Sequence, residues 1–285
     1  MPKQPLLRLI ATILILVGSI AYAEEPPAAI YGSGYYQFSL ATGSPGELGL
    51  LKVLAETFSK SANARMSWVK VGSGKSLELL RAKKVDMILV HAPVAEKLAV
   101  QEGWAIKRTL IGSNEFFLVG PPQDPANLAG AKDVLEAYRR IAAAKARFFS
   151  RGDNSGTHKK EMELWTKAAV QPWGGWYVIT KDFMGPTLQR ANREEGYFMV
   201  DSSTWVAEKK DLPDLKVLFK GDKLLINTYH ALCQPAEVTP GAALAARFID
   251  FVASPEGQQI IRDYGRDRFG EALYNDAAYA RQYTD

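Results

Sequence analysis

The stretch Phe148-Phe149-Ser150-Arg151-Gly152-Asp153-Asn154-Ser155-Gly156-Thr157-His158 decides the fold, and Lys159-Lys160-Glu161-Met162-Glu163-Leu164-Trp165 follows it directly. Its apolar start predicts a buried strand end, its Gly, Asp, Asn and Ser residues predict a tight turn, and the apolar residues from Met162 onward have helical spacing. A helix that begins in such a turn leaves backbone N–H groups unpaired at the positive end of its macrodipole. Because Arg151 lies beside that helix start, the turn has the make-up of an anion-binding site.

Strands and helices alternate on both sides of this stretch. The apolar patterns predict strands at 37–42, 66–71, 87–90, 116–119, 147–150, 176–179, 197–200 and 216–219, and helices at 47–59, 76–83, 130–144, 156–168, 185–192, 203–209, 242–253 and 255–264. Such alternation is typical of α/β proteins with parallel sheets, whose ligand loops lie at the carboxyl ends of the strands. We therefore predict an α/β fold with the anion site at that edge.

The composition favours a globular protein of one large or two ordinary domains. The chain has 285 residues, of which 47% are hydrophobic and 23% are charged. Its net charge is +4, and removal of residues 1–23, which hold two basic and no acidic side chains, lowers the charge to +2. A charge so close to balance does not favour nucleic-acid binding, so we expect no nucleic-acid partner.

The N-terminus has the pattern of a cleavable signal peptide. Lys3 and Arg8 precede an apolar run at 9–20, and Ala21-Tyr22-Ala23 then provides a cleavage site. The sequence therefore predicts a signal peptide at 1–23 and a periplasmic or secreted mature protein. An uncleaved membrane anchor is the alternative, although the apolar run is shorter than the roughly 20 residues of a spanning helix. Residues 24–36 are rich in Pro, Ala and Gly and are predicted to form a leader or linker.

Two segments resemble catalytic or nucleotide-binding motifs but lack the required spacing. Gly72-Ser73-Gly74-Lys75-Ser76 contains the end of a P-loop, yet Val69 occupies the position of its first glycine. It therefore predicts a helix start, with a contribution of its backbone N–H groups to an anion site as the alternative. The segment 152–156 does not have the G-x-S-x-G spacing of a hydrolase. We predict a protein that is not an enzyme and has no catalytic residues.

The titratable side chains predict neither a metal site nor a cofactor. Three histidines and one cysteine occur in the chain, and their spacing does not match a zinc site. Cys233 lies in an apolar run and is expected to be buried. Asp153 is expected to cap the helix that follows it, or else to accept a proton from a ligand.

Four segments resemble one family when they are taken in chain order. They are 85–93 (Val-Asp-Met-Ile-Leu-Val-His-Ala-Pro), 114–121 (Asn-Glu-Phe-Phe-Leu-Val-Gly-Pro), the opening stretch at 148–165, and 254–258 (Ser-Pro-Glu-Gly-Gln). Together they resemble the TupA-type tungstate-binding proteins of ABC transporters. The resemblance covers most of residues 37–275. It implies a two-lobed periplasmic-binding-protein-like fold, in which each lobe is a mostly parallel sheet flanked by helices and the ligand cleft lies between the lobes.

The resemblance also implies a division of the chain, a ligand and a binding site. Lobe one is expected at 37–118, lobe two at 119–226, and the return to lobe one with the C-terminal tail at 227–285. The implied function is capture of a tetrahedral oxyanion, tungstate or molybdate, by a monomer that delivers it to an ABC permease. The expected ligand-binding residues are Thr42, Ser44, Arg151, Ser155, Gly156 and Thr157.

Two ligand loops depart from the family pattern. The first loop, 42–49, is shorter and has fewer hydroxyl groups than the family's run of threonines, and Pro45 in it has no N–H to donate. The segment 200–204, Val-Asp-Ser-Ser-Thr, lacks an arginine that family members carry there. These departures leave open an alternative, in which the chain is an orphan binding or sensor protein for another small anion, such as a carboxylate.

Overall fold

The computed structural model describes residues 26–283. The predicted signal peptide, 1–23, lies outside the described residues. Among the described residues, no helix combines the length and the apolar character that a membrane crossing requires.

The described chain contains strands and helices in close alternation. The strands are β1 (Ala29–Tyr31), β2 (Tyr36–Thr42), β3 (Ala64–Lys70), β4 (Met87–Val90), β5 (Ile106–Gly120), β6 (Phe148–Ser150), β7 (Tyr177–Ile179), β8 (Tyr197–Asp201), β9 (Lys216–Phe219), β10 (Ile226–Cys233) and β11 (Asn275–Asp276). The α-helices are α1 (Ser44–Glu47), α2 (Leu50–Ala62), α3 (Ser73–Arg81), α4 (Pro93–Gln101), α5 (Val134–Ala144), α6 (Gly156–Lys167), α7 (Met184–Arg193), α8 (Ser202–Glu208), α9 (Ala242–Ala253), α10 (Pro255–Asp263), α11 (Arg266–Phe269) and α12 (Ala277–Ala280). Short 3₁₀ helices occur at Leu128–Gly130, Lys209–Asp211, Lys223–Leu225 and Arg281–Tyr283.

The strands form two sheet regions, one in each lobe, which share β5. The strand order is β1-β3-β2-β4-β10-β5 in lobe one and β5-β8-β6-β7 in lobe two. Strands joined by a helical crossover are parallel, as β2 is to β3 and β4, and as β6 is to β7 and β8. Antiparallel pairs come from β5, which runs between the lobes, from β10 in lobe one, and from edge strand β1. The predicted two-lobed α/β fold is confirmed.

The first connection from lobe one to lobe two is one continuous strand, β5. The first part of β5, as far as Glu115, pairs with β10, and its second part, from Phe116, pairs with β8 and β9. The crossing therefore falls at 115–116, three residues before the expected end of lobe one at 118, and the sequence patterns missed the strand at 106–115. β10 begins the return to lobe one at Ile226.

Each lobe has its own apolar core. In lobe one, Phe38, Phe58 and Phe248 bring together β2, α2 and α9, with ring centroids 5.2 to 6.1 Å apart. In lobe two, Trp165 on α6 is fully buried and lies edge-on to Tyr138, at a centroid distance of 4.4 Å. The central stretch is thereby anchored at its helical end. Cys233 is buried, as predicted.

Two local predictions were wrong. Residues 29–31, inside the predicted leader or linker, form β1, which pairs antiparallel with β3. The predicted helix at 47–59 is two helices, α1 and α2, since Gly49 between them has a φ of +91°. That left-handed conformation interrupts an α-helix and favours glycine.

Candidate functional site

A small cavity lies between the lobes, where loops at the carboxyl ends of β2, β4 and β6 meet. It has a volume of about 10 Å³, room for a single water-sized molecule in this form of the protein. Lobe one supplies most of the residues that line it, and lobe two supplies Arg151, Ser155 and Phe183. The lining residues of lobe one are Thr42, Gly43, Ser44, Pro45, Glu47, Gly72, Ser73, Leu89, His91 and Tyr229. Of the six predicted site residues, four therefore lie on one cavity, and Gly156 and Thr157 follow Ser155 at the start of α6.

The turn between β6 and α6 is tight, as its composition predicted. Gly152 and Asn154 both have φ of +60°, in the left-handed region that favours glycine and asparagine. Ser155 is the N-cap, and its hydroxyl oxygen accepts a hydrogen bond from the His158 N–H at 3.3 Å. The expectation that Asp153 caps the helix was wrong, because its carboxylate instead accepts the Ser155 N–H at 3.1 Å in a tighter turn.

Two helices from opposite lobes begin at the cavity with unpaired backbone donors. Within residues 26–283, the N–H groups of Gly156 and Thr157 in α6 and of Ser73, Gly74 and Lys75 in α3 have no protein acceptor. The first N–H groups of any helix lack an intrahelical partner, and the macrodipole makes that end positive. The positive ends of two helix dipoles therefore face the cleft. The alternative that the sequence raised for 72–76, an amide contribution to an anion site, fits this geometry.

Arg151 is the cationic side chain that lines the cavity, and it is held in place by lobe two. It is 5% exposed. Its Nη2 donates to the Asp153 carboxylate at 2.6 Å, and its Nε donates to the Asp182 carbonyl at 3.2 Å. Its guanidinium also lies 5.8 Å from the centroid of the Phe183 ring. The ion pair with Asp153, which could have kept Arg151 at the surface, instead orients it beside the cavity and leaves Nη1 without a protein acceptor in the described chain.

The first ligand loop offers fewer donors than its sequence suggests. The Thr42 hydroxyl donates to the Leu89 carbonyl at 2.8 Å, so its only proton is already used inside lobe one. Ser44 lines the cavity, and its hydroxyl makes no hydrogen bond with the described residues. Glu47, also on the cavity wall, is paired with Lys70 at 2.7 Å. Ser44 is therefore the free hydroxyl donor of this loop.

The lobes touch across the cleft at positions where only glycine fits. A Cβ on Gly74 of α3 would lie 2.4 Å from the Asn154 carbonyl oxygen, and one on Gly156 would lie 2.4 Å from the His91 ring. Real Cβ contacts are essentially never below 3.0 Å. The structure is therefore a closed form, and any added side chain at these two sites would hold the lobes apart.

His91, Phe183 and Tyr229 are among the cavity residues that the sequence patterns did not predict. His91 follows β4, so its place at the carboxyl end of a parallel strand was the one available signal. Burial lowers the pKa of His91 to about 4, although the Asp201 carboxylate acts in the opposite direction. His91 is therefore neutral at pH 7. Phe183 and Tyr229 carry no sequence signal for a binding role, because an isolated aromatic residue is more often a packing residue.

The segment 200–204, where a family arginine is missing, serves the hinge instead of the cavity. Asp201 caps α8, accepting the Thr204 N–H at 2.9 Å and the Ser203 hydroxyl at 2.5 Å. It also accepts from the side chain of Asn114 on β5 at 3.2 Å. No residue of 200–204 is among those that line the cavity.

Comparisons with known proteins agree with this geometry. The PBP superfamily domain model matches residues 25–256. The chain is 37% identical over 251 residues to a putative ABC transporter anion-binding protein of Haloferax volcanii, covering 85% of this chain and 73% of the relative. It is 33% identical over 237 residues to the tungstate-binding protein TupA of Peptoclostridium acidaminophilum, covering 82% of each. A solved structure, of the tungstate ABC transporter from Geobacter sulfurreducens, is 38% identical with a TM-score of 0.73, covering 81% of this chain and 100% of that one.

Proposed function

We propose, from the premise that the chain belongs to the PBP superfamily and within it to the TupA-type family, that it captures a tetrahedral oxyanion for an ABC transporter. Tungstate is the first candidate ligand and molybdate the second. The observation that carries the proposal is the cavity between the lobes, at which the N-termini of α3 and α6 and the buried Arg151 meet. Helix N-termini bind anions through unpaired N–H groups and the macrodipole.

The proposed ligand contacts are made by side-chain donors and by backbone N–H groups. Arg151 supplies the charged donor, and Ser44 and Ser155 supply hydroxyl donors. Gly156 and Thr157 act through their backbone N–H groups, together with those at the start of α3. Thr42 positions the loop through its hydrogen bond to Leu89. A site made of fixed donors suits a fully ionised oxyanion, which has only acceptor oxygens.

The role of the protein in transport follows from oxyanion binding in the cleft. The protein is a solute-binding component, not an enzyme, and it acts after export as a periplasmic or secreted monomer. It hands the anion to a permease when the lobes open. The division into lobe one at 37–118 and 227–285 and lobe two at 119–226 stays part of the proposal. A sensor role for a small carboxylate is the alternative.

Calorimetric titration of the mature protein with tungstate, molybdate, sulfate and phosphate tests the proposal. We expect tungstate and molybdate to bind and to raise the melting temperature, since a ligand at a hundredfold excess over its Kd stabilises the folded state by about 2.7 kcal/mol. Arg147→Ala is the matched control, because Arg147 lies just before β6 and pairs with Glu194 at 3.2 Å away from the cavity. Binding of a carboxylate with no response to any tetrahedral oxyanion would establish the sensor alternative instead.

A further inference from the structure

His91 lies inside the proposed anion site and has no role yet. It directly follows β4, lines the cavity, and is in close contact with Gly156 of the opposite lobe. Its ring is stacked obliquely against Tyr229 at a centroid distance of 5.0 Å. Within the described chain, its Nε2 makes no hydrogen bond, whereas its Nδ1 lies 2.9 Å from the Asn227 side-chain oxygen. The free nitrogen is therefore the one that a ligand could reach.

A chain of side-chain hydrogen bonds sets the tautomer of His91. It ends at Asp201, whose carboxylate can only accept, so the amide NH₂ of Asn114 must face Asp201. The Asn114 oxygen then accepts from the amide NH₂ of Asn227 at 2.7 Å. The Asn227 oxygen is left to accept from His91, which requires the proton on Nδ1. Nε2 consequently carries a lone pair, an acceptor that faces the same cavity as the donors of α3, α6 and Arg151.

The charges around the cavity are balanced before any ligand arrives. Arg151 is paired with Asp153, and Lys70 is paired with Glu47. The groups that act on His91 from neighbouring elements are Asp201 at the start of α8, Arg151 after β6, and Glu96 on α4. Of these, Glu96 is itself paired with Arg108 at 3.0 Å and His230 at 3.0 Å. A dianion therefore enters a site that has no unpaired cation, next to a neutral imidazole.

We propose that His91 is a further ligand-binding residue, whose Nε2 shares one proton with an oxygen of the bound oxyanion. This rests on the proposed function and specifies the protonation of its complex. A fully ionised anion such as molybdate has no proton, so the proton comes from solvent and His91 becomes an imidazolium with N–H donors on both nitrogens. A hydrogen oxyanion brings its own proton and donates it to Nε2. His91 thus distinguishes the two kinds of ligand by the protons that accompany them.

Proton uptake on binding is the direct measurement. Titration of the mature protein with molybdate, in two buffers of very different ionisation enthalpy, should show uptake of up to one proton per anion at a pH between the free and the bound pKa of His91. The Kd should fall about tenfold for each pH unit of acidification between the bound and free pKa of His91, since one proton is linked to binding. Free His91 has its pKa near 4, and the nearby dianion raises it.

His91→Gln is the test variant, because the glutamine side chain is of similar size and its amide cannot titrate. It should bind molybdate with no proton uptake and a Kd independent of pH. His158→Gln is the matched control. His158 lies in the first turn of α6, where its Nδ1 accepts the Asn154 N–H at 3.1 Å, and the variant should keep the uptake of the parent.

Nitrogen-15 spectra of the parent give a second, variant-free measurement. With three histidines in the chain, the His91 signals can be assigned, and they should change from an Nδ1–H tautomer to an imidazolium when molybdate is added. Molybdate binding without proton uptake, or uptake that persists in His91→Gln, would overturn this inference and leave the proposed function intact. Failure of the parent to bind any tetrahedral oxyanion would overturn the proposed function and the inference with it.

Discussion

Replacement of Arg151 by alanine tests the proposed site most directly. Two of its three guanidinium nitrogens are already occupied, by Asp153 and by the Asp182 carbonyl, so Nη1 remains for the ligand. One charge-assisted hydrogen bond to a desolvated anion contributes about 1.5 to 3 kcal/mol. Arg151→Ala should therefore raise the Kd for tungstate or molybdate by about 10- to 150-fold.

The assay must separate lost contact from lost stability. Arg151 is buried, and its removal leaves the Asp153 carboxylate without its partner, so the melting temperature should fall as well. Arg151→Lys keeps the charge without the planar fork and should recover part of the affinity. Arg147→Ala, in an exposed ion pair of the same lobe, should leave the Kd unchanged. Parent-like affinity in Arg151→Ala, whatever the melting temperature, would show that Arg151 does not contact the anion.

Three further changes test the charge, the closure and the core of the same region. Asp153→Asn removes the anionic partner of Arg151 and should tighten oxyanion binding by about tenfold in calorimetry; weaker binding would contradict the charge argument. Gly74→Ala places a methyl group against Asn154 and should weaken binding and abolish ligand-induced compaction in solution scattering, with no loss in melting temperature. Burial raises the pKa of Glu161 to about 7. The protonated Glu161 therefore contributes its full share to the free energy of unfolding below the unfolded-state pKa, and this contribution is lost as the pH rises through 7. Glutamine does not titrate, so between about pH 4.5 and pH 7 the free energy of unfolding of Glu161→Gln should rise by about 3 kcal/mol relative to that of the parent in denaturant titrations. A difference in unfolding free energy that stays constant with pH would refute this.

Local patterns predicted the elements that carry the ligand loops. The alternation of apolar and polar residues located β2, β3, β4 and β6, and the turn residues of 150–157 located the start of α6. These signals lie within short windows of sequence. They were sufficient because each loop follows its strand directly, and parallel strands bring their carboxyl ends to one edge.

Features made by distant pairing could not be predicted in this way. The strand at 106–115 contains Lys107, Arg108, Thr109 and Asn114 and lacks a clear alternation. It is held by β10, which is more than a hundred residues away in the chain. The tautomer of His91 likewise depends on side chains from β5, β8 and β10. The Arg151–Asp153 pair joins residues that are two apart in the sequence, but only the fold shows that this pair orients Arg151 beside the cavity.

The arrangement of donors links affinity to closure of the lobes. The cavity has balanced charges, so attraction of a distant anion is weak, and binding depends on dipoles and hydrogen bonds at close range. The open N–H groups of α3 belong to lobe one, and those of α6, with Arg151, belong to lobe two. An open form therefore presents at most one set to the anion, and only the closed form presents both. Since a ligand shifts an equilibrium by its differential affinity for the two states, the oxyanion favours closure, and a permease that separates the lobes weakens binding by removing half of the donors.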